Sequence, residues 1–300
     1  MSDLAIFFTS PLLLRSLLAA LLVGISAPIV GTYLVQRRLA MLGDGIGHVA
    51  LTGVALGWLV GTVANLSPVD QLAIPGAVVT SVLGAVTIEL VRRSGRSSAD
   101  VALAILFYGG IAGGVLLIGI AGGTSTQLNS YLFGSLATVS WWDIALIGVL
   151  AALIIGLGVG LGPALFSVCN DEDFAQTSGL PVRGMSMLIA VLSALTVAIS
   201  MRVVGALLVS AVMVIPVAVV QLFRRSFKQT MFLASLLGAT VSAVGLGITA
   251  SVDLSPGAMI VVLAIAIYGV VFVLVGQWRK QSPKRSRLKA KKSVTLVREG

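Results

Sequence analysis

Apolar residues fill this chain in blocks of about twenty, separated by short polar gaps. A helix of that length crosses the roughly 30 Å hydrocarbon core of a bilayer. Blocks long enough to do so lie at 11–35, 40–63, 72–91, 100–122, 141–162, 185–201, 203–222, 230–250 and 257–276. The pattern predicts an all-α polytopic membrane protein with eight or nine spans, the count turning on 185–222, which Arg202 alone divides. The gaps read as turns and loops. "NLSPVDQ" (65–71) and "SVDLSPG" (251–257) are turn-forming breaks, and "RRSGRSSAD" (92–100) and "RRSFKQ" (224–229) are short and basic. "GPALFSVCNDEDFAQTSGLPVRG" (162–184) is the one sizeable polar loop. "GGTSTQLNSYLFGSLATVSWWD" (122–143) is mixed in polarity and ends on two tryptophans, which favour the membrane–water boundary.

Composition agrees. Of 300 residues, 57% are hydrophobic and only 10% charged, against about 25% charged in a soluble domain. Mean hydropathy is +1.07. The net charge of +9 is concentrated in residues 277–300, which hold nine Lys/Arg and one acid. This divides the chain into a transmembrane domain, 1–276, and a basic tail, 277–300. A basic run directly after a hydrophobic span suits the anionic cytoplasmic leaflet better than nucleic acid. With the tail inside and nine spans, the loops at 36–39, 92–99, 163–184 and 223–229 also lie inside. Eighteen of the twenty Lys/Arg are then cytoplasmic, with Arg15 and Arg202 the exceptions, as the positive-inside rule requires. The single cysteine, Cys169, excludes an intrachain disulfide and a cysteine metal cluster. The first span lacks a basic leader and reads as a retained helix, not a cleaved signal.

Against this background "MLGDGIGHVA" (41–50) stands out. It places Asp44 and the only histidine, His48, four residues apart, on one face of a helix. An ionisable side chain inside a span costs about 2.5–3.5 kcal/mol on insertion scales and normally faces a bundle interior or a water-filled path. Carboxylate oxygen and imidazole nitrogen together suit a divalent transition metal. An internal Asp–His hydrogen bond and a proton relay are the alternatives. Asp253 is the other isolated acid, just before Ser255, Pro256 and Gly257. It reads as a helix cap or as a ligand at the mouth of a path. Glu89, with Arg92 and Arg93 at i+3 and i+4, reads as an interfacial ion pair, and Asp143 as an acid at a helix start. In "NDEDFAQTSG" (170–179), Asp171, Glu172 and Asp173 precede Phe174, Ala175 and Gly179. This predicts a short capped helix whose exposed Phe174 suits docking. No GxxxxGK[ST] phosphate loop occurs, so any ATPase that drives transport is another chain. No internal repeat is visible, which argues against an inverted-repeat secondary transporter.

Four stretches resemble one family. "RRLAMLGDGIGHVALTGVALG" (37–57), "NDEDFAQTSGLPV" (170–182), "RVVGALLVSAVMVIPVAVVQLF" (202–223) and "SVDLSPGAMIVVLA" (251–264) resemble, in order, segments of the permease subunits of ABC-type divalent metal importers, the ABC-3 family. The resemblance covers the chain up to about residue 276. It implies a homodimeric, all-helical permease of type II importer-like fold. It also implies two ATP-binding subunits docked on 170–179 and an extracytoplasmic metal-binding protein. The cargo would be zinc, manganese or iron, with no permanently bound cofactor. Asp44 and His48 match the family's pathway residues and Asp253 its late acid. Asp44 and His48 of two copies would meet near the dimer axis, two carboxylates and two imidazoles. The Gly45-Ile46-Gly47 stretch departs from the Ser or Ala expected before the histidine. It predicts a flexible helix, since each helical Gly costs about 1 kcal/mol relative to Ala. Two rivals stand beside this reading: a proton-coupled secondary transporter with Asp44/His48 as relay, and an enzyme or receptor with a membrane-embedded metal centre.

Overall fold

The computed structural model describes residues 11–67, 69–94, 99–122, 124–135, 139–252 and 254–298; Asp253 lies outside them. Their regular structure is entirely helical. In chain order the α-helices are α1 (Pro11–Gln36), α2 (Leu42–Val63), α3 (Ala73–Ser94), α4 (Ala99–Ile120), α5 (Ser125–Phe133), α6 (Trp141–Gly160), α7 (Gly162–Asn170), α8 (Glu172–Thr177), α9 (Val182–Val204), α10 (Val209–Gln221), α11 (Phe227–Ser251) and α12 (Pro256–Arg298). A 3-10 turn, Val69–Leu72, leads into α3. Eight helices among the described residues are long and apolar enough to cross a membrane. They correspond to eight of the nine predicted blocks.

The ninth block, 203–222, departs from its expectation. It forms only the 13-residue α10, too short to span alone. The reason lies just before it. Gly205 ends α9 with φ +89°, a left-handed conformation that glycine adopts without a Cβ clash. Residues 205–208 are then not α-helical, and the two middle backbone donors find sequence-distant acceptors: Ala206 N–H bonds Tyr131 O at 2.9 Å and Leu207 N–H bonds Leu132 O at 3.1 Å, while Gly205 and Leu208 donate locally, to Met201 O and Gly205 O. Non-helical backbone at membrane depth is tolerated where protein satisfies it in this way. The partner is α5, a short helix inside the mixed-polarity segment 122–143. The polar loop 162–184 likewise folds more than expected, into α7 as well as the predicted α8.

The bundle centres on α9, whose span is the most buried, and on α2, which packs against α3, α4 and α9. Small residues let these helices touch. A Cβ at Gly53 of α2 would overlap Gly76 O of α3, and the reverse holds for Gly76 and Gly53 O, so the two backbones meet directly, as in small-residue membrane interfaces. By contrast α4 and α12 present mostly exposed apolar faces. Helix α12 runs without a break from its apolar part into the basic segment, ending at Arg298.

The positive-φ backbone at Gly205 generates a test. Gly205→Ala would place a Cβ into Leu132 O and Gly134 N and force a side chain into φ > 0, a strain of about 1–3 kcal/mol. A lower thermal-unfolding midpoint of the purified protein than for Gly122→Ala is expected, because Gly122 shares the positive φ but has open space around it.

Candidate functional site

Asp44 lies in the first turn of α2, where the positive end of the helix dipole favours a carboxylate. Its Oδ1 accepts a hydrogen bond from Ser210 Oγ at the start of α10. One turn on, His48 is only 3% exposed. Its ring stands edge-on to Phe107 of α4, with centroids 4.2 Å apart and planes at 73°. Its Nδ1 is buried without a hydrogen-bond partner. Asp44 therefore bonds Ser210, not His48, and the internal Asp–His hydrogen bond is not what the structure contains. Buried side-chain polar atoms without a partner are uncommon in native proteins; among the described residues there are five, the others being Arg15 Nε, Ser186 Oγ, Arg202 Nε and Ser235 Oγ, and the imidazole is the one that is a good ligand for zinc or iron.

The glycines around the pair have a packing role. A Cβ at Gly45 would overlap the Leu103 side chain of α4, and one at Gly47 would sit 3.0 Å from Ala206 O. Across the interface, a Cβ at Gly110 of α4 would press into the His48 carbonyl, and Thr52 Oγ1 donates to Gly110 O at 2.8 Å. The expected looseness of Gly45-Ile46-Gly47 is thus offset by contact with α4 and with the 205–208 segment, and close approach is what those glycines allow.

Two cavities lie on either side of the pair along α2. One, of about 300 Å³, is lined by Trp58, Val69, Asp70, Ser130, Tyr131, Ser135 and Arg202. The other, of about 120 Å³, touches Leu42, Arg38, Glu89, Arg92 and Leu103. In the first, Arg202 bonds Asp70 at 2.9 Å, Asp143 at 3.4 Å and the Tyr131 hydroxyl at 3.2 Å. This buried cluster was missed in the sequence, because Asp70, Tyr131, Asp143 and Arg202 come from four separate segments. Asp143 also makes the expected helix-start contact, as N3 of a capping box with Ser140. Ser210 was missed too; its only signal is a hydroxyl in an otherwise apolar run. Arg15 stacks over Trp141 at 4.9 Å.

At the arginine-rich end, 170–179 folds as predicted. Asp171 caps α8 by accepting the Phe174 N–H at 2.9 Å, Ala175 is buried, and Phe174 is 62% exposed. Gly179, at φ +80°, follows the helix end. Asp173 is exposed, and Glu172 ion-pairs with Arg37. Glu89 is held by Arg92 at 3.0 Å and Arg93 at 2.6 Å, the ion pair the spacing predicts. Burial pushes the Cys169 thiol up to about 11, so it stays protonated at neutral pH and supplies no thiolate. Asp44 and His48 are together; residues 171–179 form a separate surface; and among the described residues no group of three or more His, Cys, Asp or Glu could hold a metal.

The model of the ABC 3 transport family matches residues 9–275. The chain belongs to this family. The ABC 3 chain is 32% identical over 298 residues to the manganese transport system membrane protein MntC of Halalkalibacterium halodurans, covering 95% of this chain and 98% of the relative. It is 26% identical over 257 residues to the high-affinity zinc uptake system membrane protein ZnuB of Haemophilus influenzae, covering 86% and 95% of the two chains. Among solved structures it is similar to a chain of PsaBC from Streptococcus pneumoniae in complex with Fab, at a TM-score of 0.80 and 31% identity over 90% of this chain and 94% of that one. It is by family a multi-pass membrane permease subunit of an ABC transporter, not an enzyme in its own right.

The α2–α4 contact can be tested directly. Gly110→Ala should separate the helices behind His48, an overpacking penalty of about 1–3 kcal/mol, seen as a lower unfolding midpoint. Gly109→Ala, with nothing within 4 Å, should not lower it and should raise it slightly, since a helical Gly costs about 1 kcal/mol relative to Ala.

Proposed function

We propose that this chain is the membrane permease of an ATP-driven importer that carries a divalent transition metal, zinc, manganese or iron, into the cytoplasm. The observation that carries the reading is the Asp44/His48 pair, on one face of a central helix, with a buried imidazole nitrogen left without a protein partner. Asp44 supplies a hard oxygen donor and His48 a borderline nitrogen donor, a set that suits these metals and does not choose among them. Ser210 holds the carboxylate in place from α10. One chain offers two such ligands, and a symmetric dimer doubles them, so the site is completed by a second copy, with Asp253 as a further ligand near the mouth. Binding there is transient, since transport needs both entry and release.

In this reading the Arg202 end faces outward, toward a metal-binding protein that delivers the cargo. The Arg37 end and the basic tail, 277–300, face the cytoplasm, where the tail lies on anionic lipid beyond the transmembrane domain, 1–276. Two copies of an ATP-binding subunit dock on 170–179 through exposed Phe174, and their closure switches access to Asp44 and His48. The relatives that carry manganese and zinc in their names support the cargo class.

Uptake of radioactive zinc and manganese by cells producing the complete system, with competing metals, tests this. Asp44→Ala and His48→Ala should each abolish uptake while the permease still assembles with its partners. Normal uptake in both variants would refute the site. Transport by the purified permease alone, without ATP, would instead favour proton coupling.

A further inference from the structure

At the arginine-rich end, one ion pair joins the predicted ATPase contact to the turn that precedes the helix carrying Asp44. Arg37 follows directly on α1, and its side chain is only 6% exposed, whereas that of its partner Glu172, on α8, is 46% exposed. Arg92 of α3 approaches the same carboxylate at 3.8 Å, and is itself held by Glu89. Burial lowers the Arg37 pKa from its ordinary value, and a buried charge that loses its counter-ion is strongly destabilised. Arg37 therefore links the turn after α1 to α8, and loss of Glu172 would leave this largely buried cation with Glu89 as its acidic neighbour.

The connection from Arg37 to Asp44 is short and stiff. Arg37 N–H bonds Tyr33 O at 3.0 Å, Leu39 N–H bonds Leu34 O at 2.8 Å, and Leu42 N–H bonds Leu39 O at 3.0 Å. Arg38 sits in the left-handed region at φ +59°. Only 37–41 separates α1 from α2, and Asp44 lies in the first turn of α2, bonded to Ser210. This turn is the shortest covalent route from Arg37 to the carboxylate and its bond to α10.

We propose that the Arg37–Glu172 pair is the strut through which displacement of α8 resets Asp44, which makes Arg37 a positioning residue for the cargo site. The proposal rests on the reading of 170–179 as the ATPase contact. Energetic coupling of this kind runs through contiguous packed and ion-paired groups.

The test uses the complete complex, permease with ATPase and binding protein, in liposomes. Three quantities are read: ATPase copurification, ATP hydrolysis, and radioactive manganese uptake per ATP. Arg37→Glu should keep the ATPase bound and hydrolysing but lower uptake per ATP about tenfold, within the usual range of site–site coupling, and Glu172→Arg, which lies in the docking segment itself, should also lower uptake per ATP. The double exchange should return it to within about twofold of the parent, because residues in direct contact are non-additive. The Arg37→Met/Glu172→Gln variant removes both charges without stranding either. It should show the same loss at an unchanged unfolding midpoint.

Unaltered uptake per ATP in the single exchanges or in the neutral variant would overturn the strut, as would a double exchange that stays low. Loss of ATPase copurification in Arg37→Glu would reduce the pair to a docking contact and also overturn it. Failure of the underlying reading looks different: Phe174→Ala would leave ATPase binding intact, or the parent chain would move manganese without ATP.

Discussion

Everything in this chain is arranged around one constraint: a carboxylate and an imidazole must be held inside an apolar bundle without satisfying each other. The carboxylate has a hydroxyl from another helix, and the imidazole has an aromatic edge on one side and a nitrogen without a partner. A bilayer span does not keep such groups for stability, since each is expensive to bury. The central position of α2, the glycines that bring α4 onto it, and the break at Gly205 before Ser210 together hold the pair in place.

The helix break is the second organising feature. A continuous span over 203–222 would have given every backbone group an intrahelical partner. Gly205 instead releases four residues from helix, and α5 supplies acceptors for two of them, Ala206 and Leu207. The same junction places Arg202 among Asp70, Asp143 and Tyr131. One end of the bundle is thus closed by a buried cation and two acids, and the other by arginines that share Glu89 and Glu172. Asp44 and His48 lie on the helix that runs between these charged ends.

Family membership and the site support each other but do different work. The match over residues 9–275 establishes the family, and similarity to PsaBC establishes the fold over most of the chain. Neither selects a metal. A donor set of carboxylate and imidazole, without thiolate, is compatible with several divalent ions.

The sequence by itself determined the spans, because about twenty apolar residues leave the backbone no other way to satisfy its hydrogen bonds in lipid. It also determined the shared face of Asp44 and His48, the cap and exposed Phe174 of α8, and the Glu89–Arg92–Arg93 ion pair, all fixed by helical spacing of three or four residues. Tertiary structure alone decided that 203–222 is a short helix after a break, that Ser210 meets Asp44, that Arg202 is buried among two acids, and that Arg37 reaches Glu172. Those contacts join residues more than fifty positions apart, and spacing along one helix carries no information about them. Gly45 and Gly47 show the difference in one place: in sequence they are flexibility, and in the fold they are the surface on which α4 and the 205–208 segment rest.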